Sequence, residues 1–253
     1  MFVSVVNFTD GKLKDAEVLA ALRAVNRQIA GDFAPYWSFG AELRLEGPVG
    51  KRPNKMSLAE LRGDAILYLW DKIDVAGAEG YHDKNNRGIP YGFVFADLAR
   101  ELGEDWTVTL SHEALELVGD PQTNLLAQGP HPKELESRNP RLVYHWFEMC
   151  DAVQAETYVI DGVKVSNFVL PHYFTTGEQA GARNDFLATR HAGRSLPSFG
   201  INPGGYVGFF DPKSGQDEQV SRDKRGAARI KLKGDWGTGR GNLRQRRRAP
   251  RRC

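Results

Sequence analysis

Cysteine is scarce in this sequence. Cys150 and the terminal Cys253 are its only two among 253 residues. One lies in the body and one at the end, so no disulfide framework is expected, and thiolates alone cannot build a zinc site. Long apolar runs are also missing. The most apolar stretch, residues 65–70 (AILYLW), is closed off by Asp64 and Asp71, far short of the roughly 18 residues that a membrane span needs. The first residues, MFVSVVNFTDGKLKD, lack a basic start followed by an apolar run and a small-residue cleavage site. No signal peptide is expected, and a cytoplasmic location is the default. No internal repeat is visible. No Ser/His/Asp or Cys/His nucleophile pair stands out, and Pro203-Gly204-Gly205 has neither the spacing nor the lysine of a phosphate loop.

What is present argues for a globular body with an unusual end. Apolar residues make up 41%, with five Trp and thirteen Phe, enough for a sizeable core in one large domain or two small ones. Charge is segregated. Of the 34 Lys and Arg, 13 fall within residues 222–253 beside only 2 of the 32 acidic residues, so an acidic body of net −9 carries a basic end of net +11. Aromatic residues thin out from Lys213, and residues 213–253 read as a mostly disordered tail. Its arginines, Arg244, Arg246, Arg247, Arg248, Arg251 and Arg252, could hold nucleic acid through non-specific phosphate contacts, with Trp236 alone for stacking. A solvated extension is the plainer reading.

Residues 2–8 read as a buried strand ending at the turn signal Asp10-Gly11. Residues 15–30 place Val18, Leu22, Val25 and Ile29 on one helical stripe, and Gly31 suits a stop. Residues 36–45, 65–70 and 91–96 read as strands, 47–56 as a loop, and 77–90 as an irregular segment around Tyr81, His82 and Asp83. Residues 122–140 read as a long loop. Residues 142–150 are apolar and aromatic. Asp161-Gly162 between β-rich runs makes 156–170 a hairpin, because both turn positions need positive φ. Residues 175–193 are polar with room for a short helix, and 198–210 end in a last strand.

Residues 107–121, TVTLSHEALELVGDP, carry the chemistry. His112 and Glu116 are four apart, about one helical turn, and therefore share a face. A His and a carboxylate at that spacing, with Glu113 beside the His, suit a metal site with a general base. The bland alternative is a surface helix bearing two ordinary glutamates.

His112-Glu113-x-x-Glu116, after a four-strand, one-helix N-terminal half, resembles the zincin-like metallopeptidases, whose active-site helix carries His-Glu-x-x-His. Gly119 matches the glycine of the longer metzincin signature. The chain looks closest to uncharacterised bacterial and phage-associated zincin-like proteins that carry Asp-Pro after the helix (Asp120-Pro121), a Glu-x-Cys-Asp segment (Glu148 to Asp151) and an Ile-Asp-Gly-Val-Lys-Val hairpin (Ile160 to Val165). The likeness spans about residues 1–210. It implies an α+β zincin-like domain over 1–212. A mixed twisted sheet and active-site helix would occupy 1–121, a smaller hairpin-containing subdomain 122–212, and the basic tail 213–253.

The resemblance implies a divalent metal, zinc first, that lowers the pKa of a bound water, with Glu113 as general base and a peptide or protein as substrate. His112 and Glu116 are then ligands, and Glu113, the next residue along, points off the ligand face. The sequence departs from the family at Glu116, which replaces the second histidine, and at Gln122, where the third would fall. Carboxylate oxygen still binds zinc, but more acidic sites favour harder cations. Asp120 is the expected third ligand. Glu148 and Asp151 are its rivals if 142–151 is helical, and they could equally hold a structural calcium. His82 is a candidate for the substrate cleft, against the plainer reading of a surface-loop histidine. A catalytically inactive zincin-fold binding or structural module, for instance in a phage-related particle, is the alternative function. His145 and His172 read as packing residues.

Overall fold

A computed structural model of the chain describes residues 1–46, 63–71, 80–84, 88–101, 103–177 and 181–234. In chain order it contains β1 (Phe2–Phe8), α1 (Asp15–Arg27), α2 (Ala34–Trp37), β2 (Glu42–Glu46), β3 (Ala65–Trp70), β4 (Gly80–Lys84), β5 (Pro90–Phe95), α3 (Ala96–Glu101) and α4 (Trp106–Gly119). There follow β6 (Leu126–Pro130), β7 (Leu142–Trp146), β8 (Thr157–Ile160), β9 (Val163–Ser166), β10 (Tyr206–Asp211), β11 (Gln216–Ser221) and α5 (Lys224–Gly234). The class is α+β, as expected. These elements divide between two compact units.

The first unit holds β1 to β5, α1 to α4 and the β8–β9 hairpin. Its sheet has the order β2-β1-β3-β5-β4, with β4 antiparallel to β5 and the other pairs parallel. Parallel strands are buried on both faces and read as continuous apolar runs. That is the pattern of β3, in which Ala65 to Leu69 are all buried. One face carries Val6, Ile66, Tyr68, Tyr91, Phe93 and Phe95, where Tyr68 and Phe93 stack at 5.0 Å between centroids. The stripe of α1 buries Val18, Leu22 and Val25.

The hairpin is held to two helices of this unit. Asp161 (φ 50°) and Gly162 (φ 80°) both adopt the left-handed conformation that an Asp-Gly turn predicts. Ser166 N–H donates to Ser111 Oγ on α4 (2.7 Å), and Gln28 Nε2 donates to Ser166 O (2.8 Å). Tyr158 donates to Asp32 (2.7 Å), and Lys164 pairs with Asp105 at the start of α4 (2.8 Å). These contacts explain why residues 156–167 join the first unit, although sequence order placed them in the C-terminal half.

The second unit contains a four-stranded antiparallel sheet of order β11-β10-β7-β6, and α5. Trp146 of β7 lies over Gly208 of β10, where an added Cβ would stand 2.1 Å from the indole. His145 is buried between Phe199 and Phe209, with its Nε2 2.9 Å from Pro130 O. Burial pushes its pKa down to about 4. It is a packing residue. His172 is only partly buried, with Nδ1 3.0 Å from Thr175 Oγ1.

Several expectations are corrected. Gly31 does not stop the first helix. The chain continues through a π-helical turn, Gln28–Phe33, into α2, and reverses at Ser38 (φ 61°). Phe33 is buried there and stacks on Trp37, so side-chain packing overrides the glycine, and the second strand is confined to Glu42–Glu46. Residues 80–84 are a strand, β4, where an irregular segment was expected. Within the expected loop 122–140, Leu126–Pro130 pairs with β7. Residues 142–151 are not helical. They form β7 and then a 3-10 turn, Asp151–Val153, so Glu148 and Asp151 do not share a helix face. The described part of 175–193 has no helix, only a 3-10 turn just before it, Pro171–Phe174. The segment from Lys213 is ordered as far as Gly234, because β11 completes the sheet and Asp223 caps α5 by accepting from Gly226 N–H (2.9 Å). Residues 47–56 and the arginines beyond Gly234 lie outside the described residues. No helix among the described residues is long and apolar enough to cross a membrane.

Candidate metal centre

Helix α4 is buried continuously from Val108 to Gly119. A helix enclosed all round is normally apolar throughout. This one carries Thr109, Ser111, His112, Glu113 and Glu116 inside, which excludes the bland alternative of two ordinary surface glutamates. Glu116 is 0% exposed and Glu113 2%. Burying carboxylates costs several kcal/mol each unless a cation or donors compensate, on the order given by transfer arguments.

Imidazoles supply part of that compensation. His112 Nε2 stands 3.2 Å from Glu116 Oε2, as the four-residue spacing requires. The second imidazole comes from the sheet. His82 sits on β4, opposite Gly92 of β5, and α4 packs along both strands. Its Nδ1 is 3.5 Å from Glu113 Oε2 and 3.8 Å from Glu116 Oε2. His82 is 1% exposed, so the surface-loop reading is corrected. One ligand atom each from His82, Glu113 and Glu116 lies within 4.8 Å of the others. Glu113 therefore does not point away from the ligand face. At i and i+3 it shares with Glu116 the face turned toward His82.

These spacings suit a cation. Two ligands about 2.1 Å from a tetrahedral zinc stand about 3.4 Å apart. The two imidazole–Glu116 pairs, 3.2 and 3.8 Å, bracket that value. The donor set of imidazole nitrogen and the Glu116 carboxylate is chemically suited to a divalent ion, and Glu116 in place of a second histidine biases it toward a harder one than an all-histidine site would hold.

The other expected ligands are placed differently. Asp120 is buried and ends α4, its N–H donating to Glu116 O (2.8 Å). Glu148 and Asp151 are buried in the second unit. Among the described residues, none of the three joins a group of metal-capable side chains. Gln122, at the position of the missing third histidine, donates instead to Gly88 O (3.0 Å).

His82 was underrated because its strand, GYHDK, has no apolar alternation. A signal was present nonetheless. A polar segment ahead of a fully apolar strand can be its antiparallel edge neighbour, and on such a neighbour a histidine faces whatever helix covers the sheet. Compared with family models, with curated proteins and with solved structures, the chain matches none.

Proposed function

We propose that the first unit binds one divalent metal ion between α4 and β4, and that it is a zincin-like hydrolase acting on peptide bonds. The observation that carries this reading is the enclosed group of His82, Glu113 and Glu116, with His112 3.2 Å from the same Glu116 oxygen. Four ionisable side chains buried together have no packing rationale that apolar residues would not meet better. Zinc is the first candidate. The order of elements up to α4 and the His112-Glu113-x-x-Glu116 spacing are the features that resemble zincins.

Glu116 is the shared ligand, with imidazole from His82 or His112 beside it. A divalent cation held there would supply a Lewis acid and lower the pKa of a coordinated water. Glu113 holds a carboxylate in the same cluster, placed to accept a proton from a water attacking a peptide carbonyl and to return it to the leaving amine. One observation favours a second reading. All four side chains are nearly inaccessible, and closed sites are characteristic of structural metals, whereas catalytic ones keep a position open. The same fold would then be a non-catalytic module with a structural ion.

Metal analysis of the purified protein, its His112→Ala and Glu116→Gln variants, and peptide-library hydrolysis by Glu113→Gln separate these readings. The hydrolase reading expects about one metal per chain, reduced in the first two variants, with Glu113→Gln keeping metal and losing hydrolysis. Metal without Glu113-dependent hydrolysis supports the structural ion. A metal-free wild type after zinc loading overturns both.

A further inference from the structure

The turn after α4 makes two contacts to the strand pair that carries His82. Thr123 Oγ1 lies 3.3 Å from Asp83 Oδ1, a longer contact than the 2.8 Å it makes to Gln122 O, and Asp83 is the residue next to His82 on β4. Gln122 Nε2 donates to Gly88 O (3.0 Å), just before β5. The turn itself is folded back, with Asp120 N–H donating to Glu116 O and Thr123 N–H to Asp120 O (2.9 Å). Thr123 has φ 47°. A β-branched residue in the left-handed region is an outlier that costs free energy, and such strain persists where surrounding contacts demand it. Here the strained conformation is the one in which Thr123 Oγ1 meets the buried Asp83.

β4 needs such a restraint. Among the described residues it is the edge strand of its sheet, bonded to β5 alone, and edge strands fray more readily than central ones. Yet it must keep His82 Nδ1 within 3.5–3.8 Å of two carboxylates on a helix. Covalent continuity from Glu116 through Asp120 to Thr123 makes the turn a direct strut between the two halves of the cluster.

We propose that Gln122 and Thr123 are positioning residues that clasp β4 to α4 and so set the reach of His82 into the metal centre. The clasp places the side chain at position 122 against Gly88, just before β5, and away from the cluster. The inference rests on the proposed metal site, and on that reading it assigns the strained turn a role in metal affinity.

The test compares wild type, Gln122→Ala/Thr123→Val and Thr123→Ser, each full-length and stripped of metal. Zn2+ affinity is measured by competition with a chromogenic chelator, and Co2+ d–d absorption reports coordination geometry. Thr123→Val removes the hydroxyl while keeping the branch, and Thr123→Ser keeps the hydroxyl. Loss of an outer-shell partner weakens metal binding by about 10–100-fold. The expected result is a loss of that size in the double variant with an altered Co2+ spectrum, affinity within a few-fold of wild type in Thr123→Ser, and metal-free circular dichroism unchanged in both. A double variant that binds Zn2+ like wild type with the same Co2+ spectrum overturns the clasp while leaving the metal site standing. So does a loss in Thr123→Ser equal to that in the double variant. A wild type that takes up neither metal overturns the metal site itself.

Discussion

Replacing Glu116 by Gln separates a site built for a cation from an ion-pair network built for stability. Glu116 is fully enclosed, 3.2 Å from His112 and 3.8 Å from His82, and one of its oxygens lies within 4.8 Å of an oxygen of Glu113. At an effective dielectric of about 20, two unit negative charges at 4.8 Å repel by about 3.5 kcal/mol. Gln keeps the shape and removes one of these charges, and the His82–Glu113 pair at 3.5 Å survives. The metal-free variant should therefore be at least as stable as wild type, with any gain bounded by the about 3.5 kcal/mol of repulsion removed. In a chain of this size 1 kcal/mol shifts Tm by about 2–4 °C.

Zinc should distinguish the two proteins. At 100-fold excess over Kd it would stabilise wild type by about 2.7 kcal/mol, or about 5–10 °C, and leave the variant almost unmoved. Calorimetry in chelator and then in excess Zn2+ reads both. An equal zinc-induced rise in the two proteins would refute Glu116 as ligand. A metal-free variant less stable by about 3–5 kcal/mol would refute the whole argument, since that is the cost of breaking a pair whose purpose is structural.

Three further outcomes follow from the packing. Burial holds His145 neutral down to about pH 4, whereas an unfolded histidine titrates near 6.5. Between those values the unfolded chain binds the extra proton, so stability is complete above about pH 6.5 and falls by about 3 kcal/mol as pH drops to 4. Urea melts across that range should show the slope, and His145→Gln should remove that share of it. Ser111→Ala deprives the buried Ser166 N–H of its acceptor and should cost about 1–3 kcal/mol, with faster amide exchange in β9. Gly208→Ala puts a methyl group 2.1 Å from the Trp146 ring, and overpacking of that kind should cost about 1–3 kcal/mol, readable as a lower denaturation midpoint.

Features decided by local chemistry were legible in the sequence. These are β1, the α1 stripe, β3, β5, α4 and the Asp161-Gly162 turn, where apolar periodicity or turn residues act over a few positions. Features decided by tertiary context were not. Gly31 is a stop signal that the buried Phe33 overrules. β6 and β11 are polar strands that exist because β7 and β10 offer them an edge. The site divides in the same way. His112 and Glu116 could be paired from their spacing alone, because one helix turn fixes it. His82 could not be joined to them, since about thirty residues separate it from His112 and only the order of the sheet brings the two together. Enclosure of α4 is only hinted at by its apolar residues on every side, because it comes from elements that pack on the helix.

Anomalous diffraction at the zinc edge, from crystals of the full chain soaked in Zn2+, tests the central claim most directly. A single strong peak within about 2.0–2.2 Å of a Glu116 oxygen and a nitrogen of His82 or His112 is the expected result. Zinc found only on surface residues, with the Glu116 carboxylate still 3.2 Å from His112 and no peak beside it, would contradict the account.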